Sequence, residues 1–256
     1  MATRFLYHAH AVGFAGRVRR PFTDLIESQA QSALSSGGGL GRARVENFSY
    51  RGVVRFDAAE TLVSGSADEK FALRELEKER SQNAGSSQQK YSAKEAFDTI
   101  TTSIIENLNI LDIVTADRVV ARMTSRHETG EEPVILPIGS HFEGLKIAGH
   151  PVFVDLNVPV YCKNQNYTRL CQDLRVVPNG EMIASPLVSE LPKVPGLDIS
   201  KNRIKIDHFG SIYLADYLIT PKSRRLIMIR LELGSPFEAS MNMCEIDGNG
   251  SEYPPQ

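Results

Sequence analysis

Two histidines one residue apart, His8 and His10 in "LYHAHAVGF", form the sharpest chemical signal in the chain. On a strand, residues i and i+2 share a face, so the two imidazoles could share one divalent metal ion, the one cofactor these residues would suit. A third ligand would have to come from His141, His150, His208 or a carboxylate, because no Cys-x-x-Cys or His-Glu-x-x-His set is present. The plainer reading is a pair of histidines on the partly exposed face of an early strand. Glu106 and Glu143 are the candidate acid–base carboxylates, provided that the similar stretches around them fold alike. Ser140 and His141 are adjacent, so on a strand they face opposite ways and form no nucleophile–base pair. The glycine-rich stretches "HAVGFAG" (10–16) and "SGGGLG" (36–41) open no predicted helix on a glycine and read as turns or bulges rather than a nucleotide cradle. Cys162, Cys171 and Cys244 are too few for a disulfide framework. Cys162 and Cys171 are spaced so that they could pair across a hairpin, but free thiols packed in or beside apolar strands fit the set better.

Positioning these groups falls to β-strands. Residues 103–126, "SIIENLNILDIVTADRVVARMTSR", alternate with period two. Val119, Ala121 and Met123 fall on one side, with Arg118, Val120, Arg122 and Thr124 on the other. The first half places Ile105, Asn107 and Asn109 opposite Ile104, Leu108 and Ile110. A helix would carry Asn107, Asn109, Thr115 and Asp117 in its interior, all poor helix formers. The stretch therefore reads as two strands joined near Asp112. "VENFSYRGVVRFD" (45–57) lines up with "IENLNILDIVTAD" (105–117), and "FEGLKIAGHPV" (142–152) is a weaker echo. A duplicated strand unit would make the shared Glu-Asn step a repeated turn or bulge.

Further strands are expected at 6–14, 43–50, 150–157, 202–209, 210–220 and 224–234. The last sets Ile227, Ile229, Leu231 and Leu233 on one face and Arg230 and Glu232 on the other. Pro21, with Asp24 and Glu27 close behind, predicts a short helix over 21–34. Residues 66–98 read as an exposed insertion, helical over 67–80 and polar over 81–94. Residues 248–256 read as a flexible tail.

The chain has 256 residues, and 29 basic against 31 acidic side chains leave a net charge of -2. No overall field draws it to nucleic acid or an anionic membrane. Its two basic clusters, "RVRRP" (17–21) and "SRR" (223–225), lack interleaved exposed aromatics. Arg224 and Arg225 are expected to protect a sheet edge or to form a rim salt bridge. No apolar run is long enough for a membrane helix, and His8 and His10 interrupt the early apolar segment. These features suggest a cytoplasmic protein with no membrane insertion.

"IENLNILDIVTADRVVAR" resembles a segment of the choice-of-anchor P family of bacterial extracellular β-rich proteins. The resemblance rests on Ile105, Asn107, Leu108, Val114, Thr115, Ala116 and Asp117, followed by "GSHFEGLKIAG" (139–149). It implies a β-rich fold and brings no catalytic residue with it. The expected architecture is a single, mainly β domain over 1–256, an antiparallel sandwich or barrel-like structure, with one short helix and one helical insertion. The expected function is binding or structural, with loops or a sheet edge presented to a protein partner or to another copy. The alternative is an enzyme with a dispersed site, a hydrolase or small-molecule-modifying β-barrel enzyme, built on His8, His10 and carboxylates such as Glu106 and Glu143.

Overall fold

The structure, a computed structural model, describes residues 4–82, 94–174, 182–188, 190–194, 196–234 and 236–253. The chain opens with β1 (Arg4–Tyr7), β2 (His10–Arg20) and β3 (Asp24–Ala33). Two long hairpins follow, β4 (Gly39–Tyr50) with β5 (Val54–Ala67), then, after helix α1 (Glu69–Gln82), β6 (Ala96–Ile110) with β7 (Val114–Glu128). Short strands β8 (Val134–Leu136), β9 (His141–Glu143), β10 (Lys146–Ile147) and β11 (His150–Pro151) lead into helices α2 (Val158–Lys163) and α3 (Tyr167–Leu174). β12 (Ile183–Ala184), β13 (Asp198–Ser200) and β14 (Arg203–Ile206) precede three long strands, β15 (Gly210–Ile219), β16 (Ser223–Leu233) and β17 (Glu238–Tyr253).

These strands form two antiparallel sheets packed face to face. The first runs β13-β14-β15-β16-β17-β2-β3, with β1 also on β17 and β12 on β15. The second runs β11-β10-β7-β6-β5-β4, with β8 and β9 on β7. The architecture is the expected sandwich rather than a barrel, because β3 and β4 end different sheets and do not pair with each other. Between the sheets, Phe14 of β2 meets Phe48 and Phe56 of the first hairpin, with ring centroids 5.4 and 6.2 Å away. Burying each such side chain contributes about 1.5–3 kcal/mol, which makes this layer the main stabilising element. Gly13 lets the sheets approach here, since a Cβ at that position would lie 2.9 Å from the Ala59 Cβ.

A transverse crease runs through both sheets. Ala215, Cys244 and Ala30 have φ of 51°, 49° and 49°, on strands β15, β17 and β3. Met228 of β16 and Gly13 of β2 stand opposite them, where the pairing skips a residue on every strand. The second sheet repeats the arrangement with Asn47 (φ 54°) on β4, Asn107 (φ 52°) on β6 and Gly144 (φ 60°) between β9 and β10, separated by Asp57 and Asp117. At Gly144 a Cβ would fall 2.0 Å from Asp117 Oδ2, so only glycine fits. Each left-handed step reverses the in–out phase of its strand.

The three similar stretches carry the same backbone pattern. Left-handed residues occur at Asn47, Arg51 and Gly52, at Asn107, Leu111 and Asp112, and at Gly144, Ala148 and Gly149. The Glu-Asn step is neither a turn nor a bulge: Asn47 and Asn107 are left-handed and lie opposite Asp57 and Asp117 at a skipped pair with no change of register. The turn near Asp112 lies where the alternation placed it.

Several expectations are corrected. Residues 21–34 hold no helix; β3 occupies most of them. Buried Ile26 and Ala30 have a helix-like spacing of four because Glu27 and Ser28 together oppose Ala15 and because Ala30 is left-handed. On β6 the phase flips at Asn107, so Leu108 and Ile110 share the core with Ile105. On β16 the skip at Met228 turns Ile227 to the face opposite Ile229. The 150–157 strand is confined to β11, and Phe153 beyond it is 82% exposed. Residues 248–253, expected as a tail, complete β17, with 248–249 pairing with β16 and 250–253 with β1. Cys162 and Cys171 sit on α2 and α3, helices that the alternation did not predict, and all three thiols are free. Helix α1 lies within the expected 66–98 insertion; residues 83–93 of its polar part lie outside the described residues.

If the crease depends on left-handed residues, Asn107→Val should destabilise the fold by about 1–2 kcal/mol, since a β-branched side chain resists that conformation. Asn107→Gly should stay within about 0.5 kcal/mol of wild type, because glycine adopts it freely. Urea unfolding of the two variants checks the difference; equal losses would contradict this account of the crease.

Candidate functional site

The crease at Cys244 sends Glu245 and Asp247 to the outer face of the first sheet, while Cys244 points inward and donates a hydrogen bond to Val119 O. There they meet His10 and Arg225, because Asp247 registers with His10 of β2 and Arg225 of β16. Glu245 is the hub. Its Oε1 lies 2.5 Å from Arg225 Nη2 and 3.9 Å from His10 Nε2, and its Oε2 accepts from Asn242 Nδ2 at 2.8 Å. Burial works against its ionisation, but His10, Arg225 and Asn242 together hold it below the ordinary carboxylate range. The nearby Glu245 carboxylate raises His10 above its ordinary 6.5, against the effect of partial burial. Asp247 is pushed up by its own burial, and its Oδ1 has no hydrogen-bond partner.

A second network spans the crease and continues the same face. Arg230 Nε donates to Asp216 Oδ2 at 2.6 Å and its Nη1 to Glu232 Oε1 at 2.6 Å. Its guanidinium lies 3.7 Å above the Tyr213 ring, and Asn202 Nδ2 donates to Asp216 Oδ1 at 2.7 Å. Between the networks lies a hollow of about 570 Å³, walled by Asp216, Arg225 and Ile227 on one side and Tyr213, Arg230 and Asn242 on the other. Two further hollows of about 360 and 330 Å³ adjoin it and share Ser240, one bounded by Arg17 and Leu25 and the other by Glu232 and Glu238. Arg17 and Arg19 are exposed and have no ion-pair partner among the described residues.

The residues singled out from sequence divide clearly. His8 and His10 do share a face, with His8 exposed and its backbone paired to Asn249. Among the described residues, however, no group of three or more His, Cys, Asp or Glu could hold a metal ion. Glu106 and Glu143 do not converge, because Arg118 of β7 stands between them in register. Glu143 bonds instead to His141 Nε2 at 2.9 Å. Ser140 Oγ pins Arg122 N and O, each at 2.9 Å. The Cys244 thiol is pushed up to about 12 by burial and supplies no nucleophile.

Arg224 protects no edge, because β16 lies inside the sheet. Its side chain is buried, with Nη1 donating to Ile135 O at 2.6 Å and Nη2 to Gln165 O at 3.1 Å. Arg225 does form a salt bridge, although to a buried partner. Glu245, Asp247, Asp216 and Asn242 were missed. The one local signal for the first two is "CEID", two acids at i and i+2 that match the spacing of the histidines.

His127 of β7 offers an internal contrast. Burial lowers it below 6.5, outweighing its 3.1 Å contact with Glu252 Oε1. The two histidines should therefore give opposite pH slopes. The stabilisation from His10 is full below about 6.5 and is lost as pH rises through its raised pKa. The stabilisation from neutral His127 is full above about 6.5 and is lost as pH falls toward its lowered pKa. Proton NMR titration, assigned with His10→Gln and His127→Gln, should place the first resonance above 6.5 and the second below it. The reverse order would refute the geometry.

Among the described residues, no helix is long and apolar enough to cross a membrane. Searches of curated proteins and of solved structures return no match. A family model does match, over residues 5–178. That span takes in His10 and the whole second sheet but stops short of β12–β17, which supply the other members of the polar network. On this match, which covers well over half of the sequence, the chain belongs to the family described as Domain of unknown function (DUF8256).

Proposed function

We propose that the protein is a binding β-sandwich whose working surface is the outer face of its first sheet. The supporting observation is the set of adjoining hollows centred on Ser240, which straddles the crease and crosses strands β15 to β3. The main hollow is better suited to holding a ligand than to turning one over. Glu245 and Asp216 are each neutralised by a guanidinium, leaving neither free to act as a general acid, and the nearby thiol faces the core. The side chains are fixed on adjacent strands, which reduces the entropy cost of ordering them around a ligand. The expected sheet-edge mode fits less well at β4, where Arg42 and Arg44 bind Glu60 and blunt the edge with charge.

The matching left-handed patterns in the three stretches support descent of the hairpins from one repeated unit. The enzyme reading has one observation in its favour, the unpartnered Asp247 oxygen beside His10. Under that reading, Asp247→Asn would abolish a turnover that wild type shows.

Ser240→Trp fills the centre of the face on a strand that tolerates aromatics. In biolayer interferometry against immobilised glycans, peptides and the chain itself, any ligand held by wild type should bind this variant at least about 10-fold more weakly, a change of about 1.4 kcal/mol. The melting temperature should not change. A ligand held equally by both proteins would overturn the proposed surface.

A further inference from the structure

We infer that the main hollow of this face takes a small, uncharged, planar ring with a cyclic amide edge, a lactam or imide heterocycle; the inference rests on the binding reading above. Asn202 sits in the two-residue turn between β13 and β14. The β14–β15 pairing begins at Arg203 and Tyr213, and Asn202 supplies the next rung toward the crease. Its backbone oxygen accepts from Leu214 N at 3.0 Å, while its Nδ2 donates to Leu214 O at 3.0 Å and to Asp216 Oδ1 at 2.7 Å. Both partners of Nδ2 are acceptors, so turning the amide over would lose two hydrogen bonds, and the side-chain oxygen is fixed in place. That oxygen has no hydrogen-bond partner among the described residues and is not closed off from solvent, although Asn202 as a whole is 8% exposed. Asn202 lines the hollow of about 570 Å³, where a locked, unpaired amide oxygen calls for a ligand that donates a hydrogen bond.

A free donor stands on the other side of Asp216. The two Asp216 oxygens are divided between Asn202 and Arg230, and Arg230 gives Nε to Asp216 and Nη1 to Glu232. Its Nη2 has no partner among the described residues. The hollow thus offers a fixed acceptor and a fixed donor flanking one carboxylate, and a cyclic amide edge, with N–H beside C=O, presents the complement. The Arg230 guanidinium already lies 3.7 Å above the Tyr213 ring, and its other face suits a second flat group. Charge excludes the ionic alternatives. Asp216, Glu232, Glu245 and Asp247 repel an anion, while Arg225 and Arg230 line the hollow and repel a cation. Asp216, Glu232 and Glu245 each have a guanidinium partner, so little charge is left to attract a counter-ion.

The test uses the full chain with two probes, uridine and N3-methyluridine, in which a methyl group replaces the hydrogen of the ring N–H. Calorimetry gives affinities, and amide chemical-shift mapping locates the contact. Uridine should bind saturably and shift Tyr213, Leu214 and Asp216, with the methylated ring at least about 10-fold weaker. Asn202→Leu removes the acceptor and should bind the two probes within about 2-fold of each other, with its melting temperature reporting that the fold holds. The wild-type comparison stands even where that variant unfolds. No binding of uridine, equal binding of both probes by wild type, or an N–H preference kept by folded Asn202→Leu would overturn the inference. If uridine fails while another ligand is lost on Ser240→Trp, the binding reading survives and only the ring class falls. If uridine shifts only the second sheet, both readings fall.

Discussion

A backbone step that most residues avoid, repeated on alternate strands, organises this molecule. Placing a non-glycine residue in the left-handed region costs about 1–2 kcal/mol, and Ala215, Cys244 and Ala30 all bear that cost in one sheet. The cost persists because the aligned skips keep neighbouring strands in register on both sides of the crease. One strand making the step alone would lose its pairing. The phase reversal has a direct chemical result: it turns Ile227 and Glu245 outward while Met228 and Cys244 stay in the core. Without the step at Cys244, alternation from Met243 would turn Cys244 outward and bury Glu245 between the sheets, where an unpaired carboxylate is prohibitively costly.

The same crease marks the limit of what could be read from sequence. Strand identity was legible wherever alternation ran unbroken, as in Val119, Ala121 and Met123 of β7. The turn at Asp112 was legible because its cause is local, and the shared Glu-Asn step marked a special backbone position, although a left-handed skip rather than a bulge. Phase beyond a skipped residue was not, which is why the faces of Ile227 and Leu108 were misassigned and β3 looked helical. Of the network around Glu245, His10 and the salt-bridging Arg225 were recognisable in advance, while Glu245, Asp247 and Asn242 were not. Glu245 lies 235 residues from His10 (245 − 10), and the register of β2 against β17 depends on core packing that no local pattern encodes. Glu106 and Glu143 lie on strands flanking β7, yet a shared fold pattern does not make carboxylates meet when Arg118 occupies the strand between them.

Charge is distributed differently over the two outer faces. On the second sheet Arg42, Arg44, Glu46 and Glu60 form an exposed ladder in which screening leaves little net stabilisation. On the first sheet Glu245 is largely withdrawn from solvent and has three partners. A buried ion pair of this kind seldom repays its desolvation cost in stability. Its consequence is geometric: Arg225 and Asn242 are held in fixed positions across the crease, with Arg230 held likewise by Asp216 and Glu232. Rigid, pre-bonded polar groups are what a binding face needs, and they are an expensive way to make a merely soluble surface.

The span of the family match bears on this face. Residues 5–178 include β2, β3 and every strand of the second sheet, yet β17 lies between β16 and β2 and also pairs with β1. The matched region by itself would leave β2 with one unpaired edge and Phe14 covered from one side only, a sheet edge prone to aggregation. The C-terminal strands are therefore integral to the fold rather than appended to it. They also contribute Arg225, Arg230, Ser240, Asn242 and Glu245, whereas β2 contributes His10, Arg17 and Arg19. The proposed binding face is thus a composite. The matched region provides its free cations, and the strands beyond the match provide its fixed polar array. Variation in the outward side chains of β15–β17 would therefore alter the proposed surface without disturbing the hairpins of the second sheet, because the crease keeps those side chains out of the shared core.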